Sequence, residues 1–330
     1  MGDIWNIKEQ YKRQMGNLWL PRGDRACVHG GSPPPSGVVD TIEYVTIAST
    51  GDVTDFGNLT AARNYSRGAA NSTRGLIMGA DTPGYRNAIE FVTVASLGNA
   101  ADFGDLTVDS TSGGHGFSNA VRAVQCHGSG SNVIDYVTIA STGDAIDFGN
   151  STISAQGGID TGASPTRGVM AGGRDPSFKD TIDYVTISTL GDAIDFGDLT
   201  TTRQGFIGGV SDGIRSVWGG GNNPSDQDVI DFVYIATLGD AVDFGDLTDA
   251  RNEGASASSV TRGIFAGGSD PSQSDIIDYI TITTAGDAAD FGDLSTARYS
   301  LGAFSNAHGG IPEGEPRGLP VGSGRGFWAG

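Results

Sequence analysis

The chain has 330 residues, with 20 Lys and Arg against 39 Asp and Glu, 53 glycines and two cysteines. A formal charge of −19 sets the body against nucleic-acid phosphates and anionic lipid, so neither DNA or RNA binding nor membrane insertion is expected. Cys27 and Cys126 fall at non-equivalent places and indicate no disulfide framework, and no apolar stretch is long enough to cross a bilayer.

The charge is uneven along the chain. Residues 1–25 hold five Lys or Arg against three Asp or Glu, a net of +2, which leaves −21 on the remaining 305. Within that segment residues 4–19, "IWNIKEQYKRQMGNLW", place Ile4, Ile7, Tyr11, Met15 and Leu18 on roughly one face of an amphipathic helix. Residues 1–24 therefore read either as a cap on the first module or as an anchor to a larger assembly through Trp5, Tyr11 and Trp19. The start "MGDIW" lacks a basic region followed by an apolar core, and Asn6 stands where a myristoylation motif wants Ser or Thr; synthesis in a cytosol without export is expected.

From residue 25 a four-piece unit recurs. Its first piece is an Arg-initiated apolar stretch ending in glycine, as in Arg74-Gly75-Leu76-Ile77-Met78-Gly79 or Arg262-Gly263-Ile264-Phe265-Ala266-Gly267-Gly268, short and branched enough to predict a buried strand. After a variable polar loop comes an "I-D-Y-V-T-I" strand, whose acid is Glu43, Glu90, Asp135, Asp183, Asp231 or Asp278. Twelve residues after that acid, in every copy, stands the aspartate of an Asp-Phe-Gly tripeptide. The six tripeptides are Asp55-Phe56-Gly57, Asp102-Phe103-Gly104, Asp147-Phe148-Gly149, Asp195-Phe196-Gly197, Asp243-Phe244-Gly245 and Asp290-Phe291-Gly292. In protein kinases this tripeptide holds magnesium, but such a site is needed once. Recurrence at intervals of 45 to 48 residues, with no other kinase signature, makes it a structural element of a repeat.

The constant spacing predicts a hairpin turning at the glycine four residues before each aspartate (Gly51, Gly98, Gly143, Gly191, Gly239, Gly286), where positive φ is required; the Gly-Asp pairs there read as ordinary turns. The phenylalanine is expected to pack between neighbouring modules. A fourth piece follows Arg63, Arg203, Arg251 and Arg298, each eight residues after its aspartate, and its small residues suit the crowded innermost strand of a propeller. Six units of four antiparallel strands predict an all-β, six-bladed propeller spanning 25–307, closed so that its sheet edges are protected. The order Ala-Arg, small strand, Arg-Gly-x-apolar-x-Gly-Gly, Ile-Asp-Tyr-Val, Asp-Phe-Gly-Asp-Leu resembles a divergent kelch repeat, with phenylalanine in place of the usual tryptophan of the last strand. The string "IDYVTIASTGDAIDFG" resembles arrays in structural and tail-fibre proteins of marine bacteriophages, including cyanophages.

The strand Arg25-Ala26-Cys27-Val28-His29-Gly30-Gly31 has no innermost strand ahead of it, and "YSLGAFSNA" at 299–307 is an innermost strand with no blade of its own. Their union is predicted to complete blade 1 and latch the ring. The C-terminal extension, 308–330, carries a seventh glycine-ended stretch with Phe327 and Trp328, expected to dock on its own propeller or on a partner chain by strand addition.

For chemistry, the strand acids suggest either pairing with the glycine-strand arginines Arg74, Arg122, Arg167, Arg215 and Arg262 or, as a lesser reading, a calcium ring. The second and third units are least regular: Ser110 and Ala155 replace the recurring arginine, and His115, Gln125, Cys126 and His127 collect there without zinc spacing. No triad, Asp-box or copper-ligand set is visible, so no catalytic, cofactor-binding or metal residue is assigned and no cofactor is expected. What the resemblance implies is a non-enzymatic virion protein of a phage, made in the host cytoplasm. Its expected partners are other virion proteins, met through the N-terminal segment and C-terminal tail, and a host-surface glycan or protein, met by the variable loops. An intracellular kelch-like adaptor and a propeller-fold glycan-active enzyme are the competing classes.

Overall fold

The computed structural model describes residues 24–311, apart from 36, 82–85, 111–113, 129 and 155–157. The segment bearing Trp5, Tyr11 and Trp19 and the stretch bearing Phe327 and Trp328 lie outside the described residues. Within them there is no helix, and 24 strands form six four-stranded antiparallel sheets arranged as a propeller.

From the axis outward, blade 2 is β4(Arg67–Ala70), β5(Arg74–Ala80), β6(Arg86–Thr93) and β7(Ala101–Ser110); blade 3 is β8(His115–Ser118), β9(Arg122–Cys126), β10(Val133–Thr138) and β11(Ile146–Asn150). Blade 4 follows with β12(Asp160–Ala163), β13(Arg167–Ala171), β14(Thr181–Thr186) and β15(Ile194–Asp198), and blade 5 with β16(Gly208–Ser211), β17(Arg215–Gly219), β18(Val229–Tyr234) and β19(Val242–Asp246). Blade 6 is β20(Ala255–Ser258), β21(Arg262–Ala266), β22(Ile276–Thr281) and β23(Ala289–Asp293). Blade 1 joins the two ends of the ring: β24(Gly302–Ser305) is its innermost strand and pairs with β1(Arg25–His29), with Ala26 opposite Ser305 and His29 opposite Gly302, before β2(Thr41–Thr46) and β3(Thr54–Asn58).

Burial follows position in the blade. The second strands are buried on both faces, which is why they read as unbroken apolar runs; the third strands bury Ile42, Glu43 and Val45 or their equivalents and expose their last residue, and on the outermost strands the phenylalanine is the buried residue. The Asp-Phe-Gly tripeptide is a β-bulge. In blade 1 Ile42 faces Gly57 and Glu43 faces Asp55, so Phe56 has no partner on the neighbouring strand, and the same slip occurs at the matching place in all six blades. The bulge turns the phenylalanine ring into the core at 2–3 % exposure, edge-on to the aromatic of the third strand, as with Tyr184 and Phe196 at 6.0 Å. Phe56 packs with Cys27 and Ile42 of its own blade and with Ala70, Ile77 and Val92 of the next. The aspartates themselves are exposed.

The same bulge ties each blade to its neighbour. Its freed carbonyl accepts the turn-glycine N–H of the next blade: Phe56 O from Gly98 at 2.9 Å, and so around to Phe291 O from Gly51 at 2.8 Å. The bulge glycine is forced by this approach; a Cβ on Gly57, whose φ is 151°, would lie 2.4 Å from Gly98 O. The Gly-Asp pairs are therefore more than ordinary turns. The side chain after each turn glycine accepts a backbone N–H from the preceding blade, Asp240 from Asp198 at 3.1 Å and Asp52 from Asp293 at 3.2 Å. These bonds occupy the outer edge of every sheet, the edge that an open array leaves unpaired.

Candidate functional site

The strand directions define two faces. One, called upper here, carries the starts of the innermost strands, the inter-blade linkers and the loops after the double glycines; the lower face carries the tight hairpins. The strand acids lie near the upper face and are buried, between 0 and 4 % exposed. Their partners differ from the expected ones. Among the described residues the glycine-strand arginines pair with no carboxylate: each lies over the aromatic of its own third strand and donates to a carbonyl of the next blade, Arg167 4.4 Å from the Tyr184 ring centre and 2.8 Å from Ile235 O.

The carboxylates are met instead by the linker arginines. Arg203 Nη2 donates to Asp231 Oδ2 at 2.8 Å, Arg251 to Asp278 at 2.9 Å, Arg298 to Glu43 at 2.6 Å, and Arg63 to Glu90. Each arginine belongs to two blades at once, because its own carbonyl accepts the N–H of the second glycine of the preceding blade's pair, Gly173 to Arg203 O at 2.9 Å and Gly268 to Arg298 O at 3.0 Å. The first glycine of the pair is left-handed and abuts the same carbonyl: a Cβ on Gly172, at φ 67°, would lie 2.6 Å from Arg203 O. Double glycine and linker arginine are one device. The units that lack the arginine also lack the double glycine, having Gly79-Ala80 and His127-Gly128 in its place.

Every acid also accepts the hydroxyl of the residue five positions after an Asp-Phe-Gly aspartate in the preceding blade. Thr107 reaches Asp135 at 2.7 Å, Thr152 reaches Asp183 at 2.6 Å, and Thr60, Thr200, Thr248 and Ser295 serve the others. Sequence reasoning missed these hydroxyls, although Thr or Ser at a fixed offset in all six units was a legible signal. In the two irregular units the cation changes or is absent. His127 Nε2 lies 2.9 Å from Asp135 within blade 3, while Asp183 receives, among the described residues, only Thr152, has Oδ1 without a partner, and is raised above the usual carboxylate range by burial. Cys126 and Cys27 are free, buried thiols, and burial pushes Cys27 up to about 12. Among the described residues no group of three or more His, Cys, Asp or Glu side chains is arranged to hold a metal ion.

His115, another of the irregular residues, opens onto the axis. The six innermost strands enclose a central cavity of about 80 Å³. At the lower end their last residues are Ala70, Ser118, Ala163, Ser211, Ser258 and Ser305, and the serines knit neighbouring strands: Ser258 Oγ donates to Ser211 O at 3.0 Å, and Ser118 Oγ to Ala70 O at 2.7 Å. Residues 306–311 then cross this end. His308 Nε2 lies 2.6 Å from Ala70 O, Gly309 N–H donates to Ser211 O at 2.9 Å, and Ile311 is 2 % exposed. The segment 308–311, read from sequence as the start of an extension, is thus part of the propeller, because two glycines let the backbone pass within contact of Gly213 and Ser118.

The upper end is polar. The innermost strands of blades 2, 3 and 4 begin with Arg67, His115 and Asp160, where the other blades have Gly208, Ala255 and Gly302. His115 Nδ1 lies 2.8 Å from Asp160 Oδ1, which also accepts the Thr161 N–H at 2.6 Å; Asp160 Oδ2 is buried without a partner. Burial pushes His115 down, Arg67 adding to the shift and Asp160 opposing it, so the imidazole is neutral at neutral pH and its Nδ1 carries the proton given to the carboxylate. Arg67 is 6 % exposed and donates to Gly114 O at 2.8 Å and Leu301 O at 3.2 Å. Above it runs a backbone collar: Tyr65 N–H to Ser300 O, Ser300 to Glu253 O, Glu253 to Gly205 O and Gly205 to Gly158 O, at 2.6–3.0 Å. Tyr65, Glu253 and Ser300 hold φ of 54–55°, a left-handed conformation that costs on the order of 1 kcal/mol or more for a residue with a side chain, and the Tyr65 and Ser300 hydroxyls both donate to Glu253.

No protein-family model matches the chain, and no curated protein matches it.

Proposed function

We propose that this propeller is a non-enzymatic, kelch-like interaction module of a bacteriophage particle, attached through its terminal segments and presenting its upper face outward. The fold supports an interaction role. The single observation that carries the reading is how the repeat is used: the recurring residues are committed to blade-to-blade ties, and variation is left to the loops after the second strands, such as "GGSPPPSGVVD", "GADTPGYRN" and "HGSGSN" in the first three blades against "GGNNPSDQD" in the fifth. Variable loops on a rigid scaffold suit recognition of a host-surface glycan or protein. The assignment to a phage rests on the resemblance of the repeat string, and the acidic body disfavours nucleic acid as the partner.

Immunogold electron microscopy of purified particles, with a chain lacking residues 1–24 tested for incorporation, checks this. Label on the tail or capsid that disappears on truncation is expected; particles without label overturn the virion assignment in favour of an intracellular adaptor.

A further inference from the structure

We infer that the upper end of the central channel, around Arg67, His115 and Asp160, binds a neutral hydroxyl-bearing ligand through a vicinal diol such as a saccharide presents. The inference rests on the recognition reading only for where such a ligand would come from.

Three features select this chemistry. Asp160 lines the cavity and is 2 % exposed, its Oδ1 is saturated by His115 and Thr161, and its Oδ2 is buried with nothing to accept from. A buried carboxylate oxygen left so is costly, and the site calls for a donor. Neutral His115 has Nδ1 committed to the carboxylate, which leaves Nε2 as a second acceptor. Arg67 uses Nε and Nη1 on two carbonyls, and a guanidinium has further N–H groups to give. Three residues that line one cavity therefore bring two acceptors and a donor to its upper end.

Charge disfavours an anion, which Asp160 and Glu253 at the collar both oppose, and the Arg67 guanidinium opposes an ammonium at the same place. A hydroxyl both gives and takes a hydrogen bond and meets all three groups without net charge. The cavity, about 80 Å³, has room for roughly five to eight waters at 10–15 Å³ each, or for the edge of one pyranose ring with its adjacent hydroxyls. The lower end is crossed by residues 306–311, so the ligand approaches past the collar, whose strained residues fix the rim. The repeat itself requires none of the three side chains, since Gly208, Ala255 and Gly302 serve at the same place in the other blades.

The full chain is titrated calorimetrically with methyl mannopyranoside, methyl galactopyranoside, a 2-deoxy pyranoside and glycerol, and then with sodium acetate and ammonium chloride. Saturable binding of a pyranoside is expected, weakened about tenfold or more in Asp160→Asn and in Arg67→Lys, as befits loss of a hydrogen bond to a charged group. Melting temperatures of both variants report that the fold is intact. Glycerol binding as tightly as the pyranosides identifies a free polyol as the source and keeps the diol chemistry. Absence of saturable binding by all four neutral compounds, preference for acetate or ammonium, or binding indifferent to both substitutions in folded protein overturns the inference. Because the titration needs no particle, its failure is separable from failure of the virion assignment.

Discussion

Replacing Asp231 by leucine removes one member of a buried ion pair whose two side chains are both 0 % exposed and 2.8 Å apart. Arg203 would keep its hydrogen bond to Val229 O at 2.9 Å but lose its counter-charge, and Thr200 Oγ1 would lose its acceptor. Breaking a buried pair from one side costs about 3–5 kcal/mol, because the surviving charge stays desolvated. At roughly 2–4 °C per kcal/mol for a large domain, the melting temperature should fall by about 6–20 °C. Arg203→Met alone should do comparable harm, since it leaves the carboxylate unpaired. The double variant Arg203→Met, Asp231→Leu should regain much of the loss, apolar groups of similar volume being nearly neutral replacements for a buried pair. Thermal unfolding followed by far-UV circular dichroism on the four proteins closes the double-mutant cycle. If the double variant is as unstable as the sum of the singles, or if Asp231→Leu costs under about 1 kcal/mol, the pair is not the blade tie described here.

Asp183 lacks the cationic partner that Asp231 has, and burial raises its folded-state pKa, so its contribution to stability is fully present below the ordinary aspartate value near 3.8 and is lost as pH rises through the higher folded value. Asp183→Asn should therefore stabilise the protein at neutral pH, with the gain vanishing toward pH 4, as melts across pH 4–8 would show; Asp231→Asn, which breaks the buried pair with Arg203, should destabilise it at neutral pH. Gly197→Ala puts a Cβ 2.5 Å from Gly239 O at φ 153° and should cost about 1–3 kcal/mol in urea unfolding, while the same change at Gly239, where a Cβ meets nothing within 4 Å, should cost less.

The repeat made much of the fold legible. Six aspartates at near-equal spacing, a constant twelve-residue interval and turn glycines are local facts, and they suffice for six hairpin-built blades. The apolar run of a second strand such as Arg215–Gly219 announces burial on both faces. Partner choice was harder. Two arginine sets recur with the same period, and period alone cannot tell which guanidinium meets the acid. The coincidence of double glycine with linker arginine in four units, and of its absence with Ser110 and Ala155 in two, carried that information without being read. His115 looked like drift because its partner, Asp160, lies 45 residues away in the next unit and matches no motif.

Sequence alone determined the number of blades, their strand order and the places of their turns, because these depend on spacing and on local backbone preference. The tertiary structure decided which edges meet. Only closure of the ring brings Phe291 O to Gly51, Arg298 to Glu43 and the Gly309 N–H to Ser211 O. Only the axis, where six strand starts converge, sets Arg67 in one cavity with His115 and Asp160. Such contacts follow from the angle between blades, which arises from packing summed over the whole ring and is written at no single position.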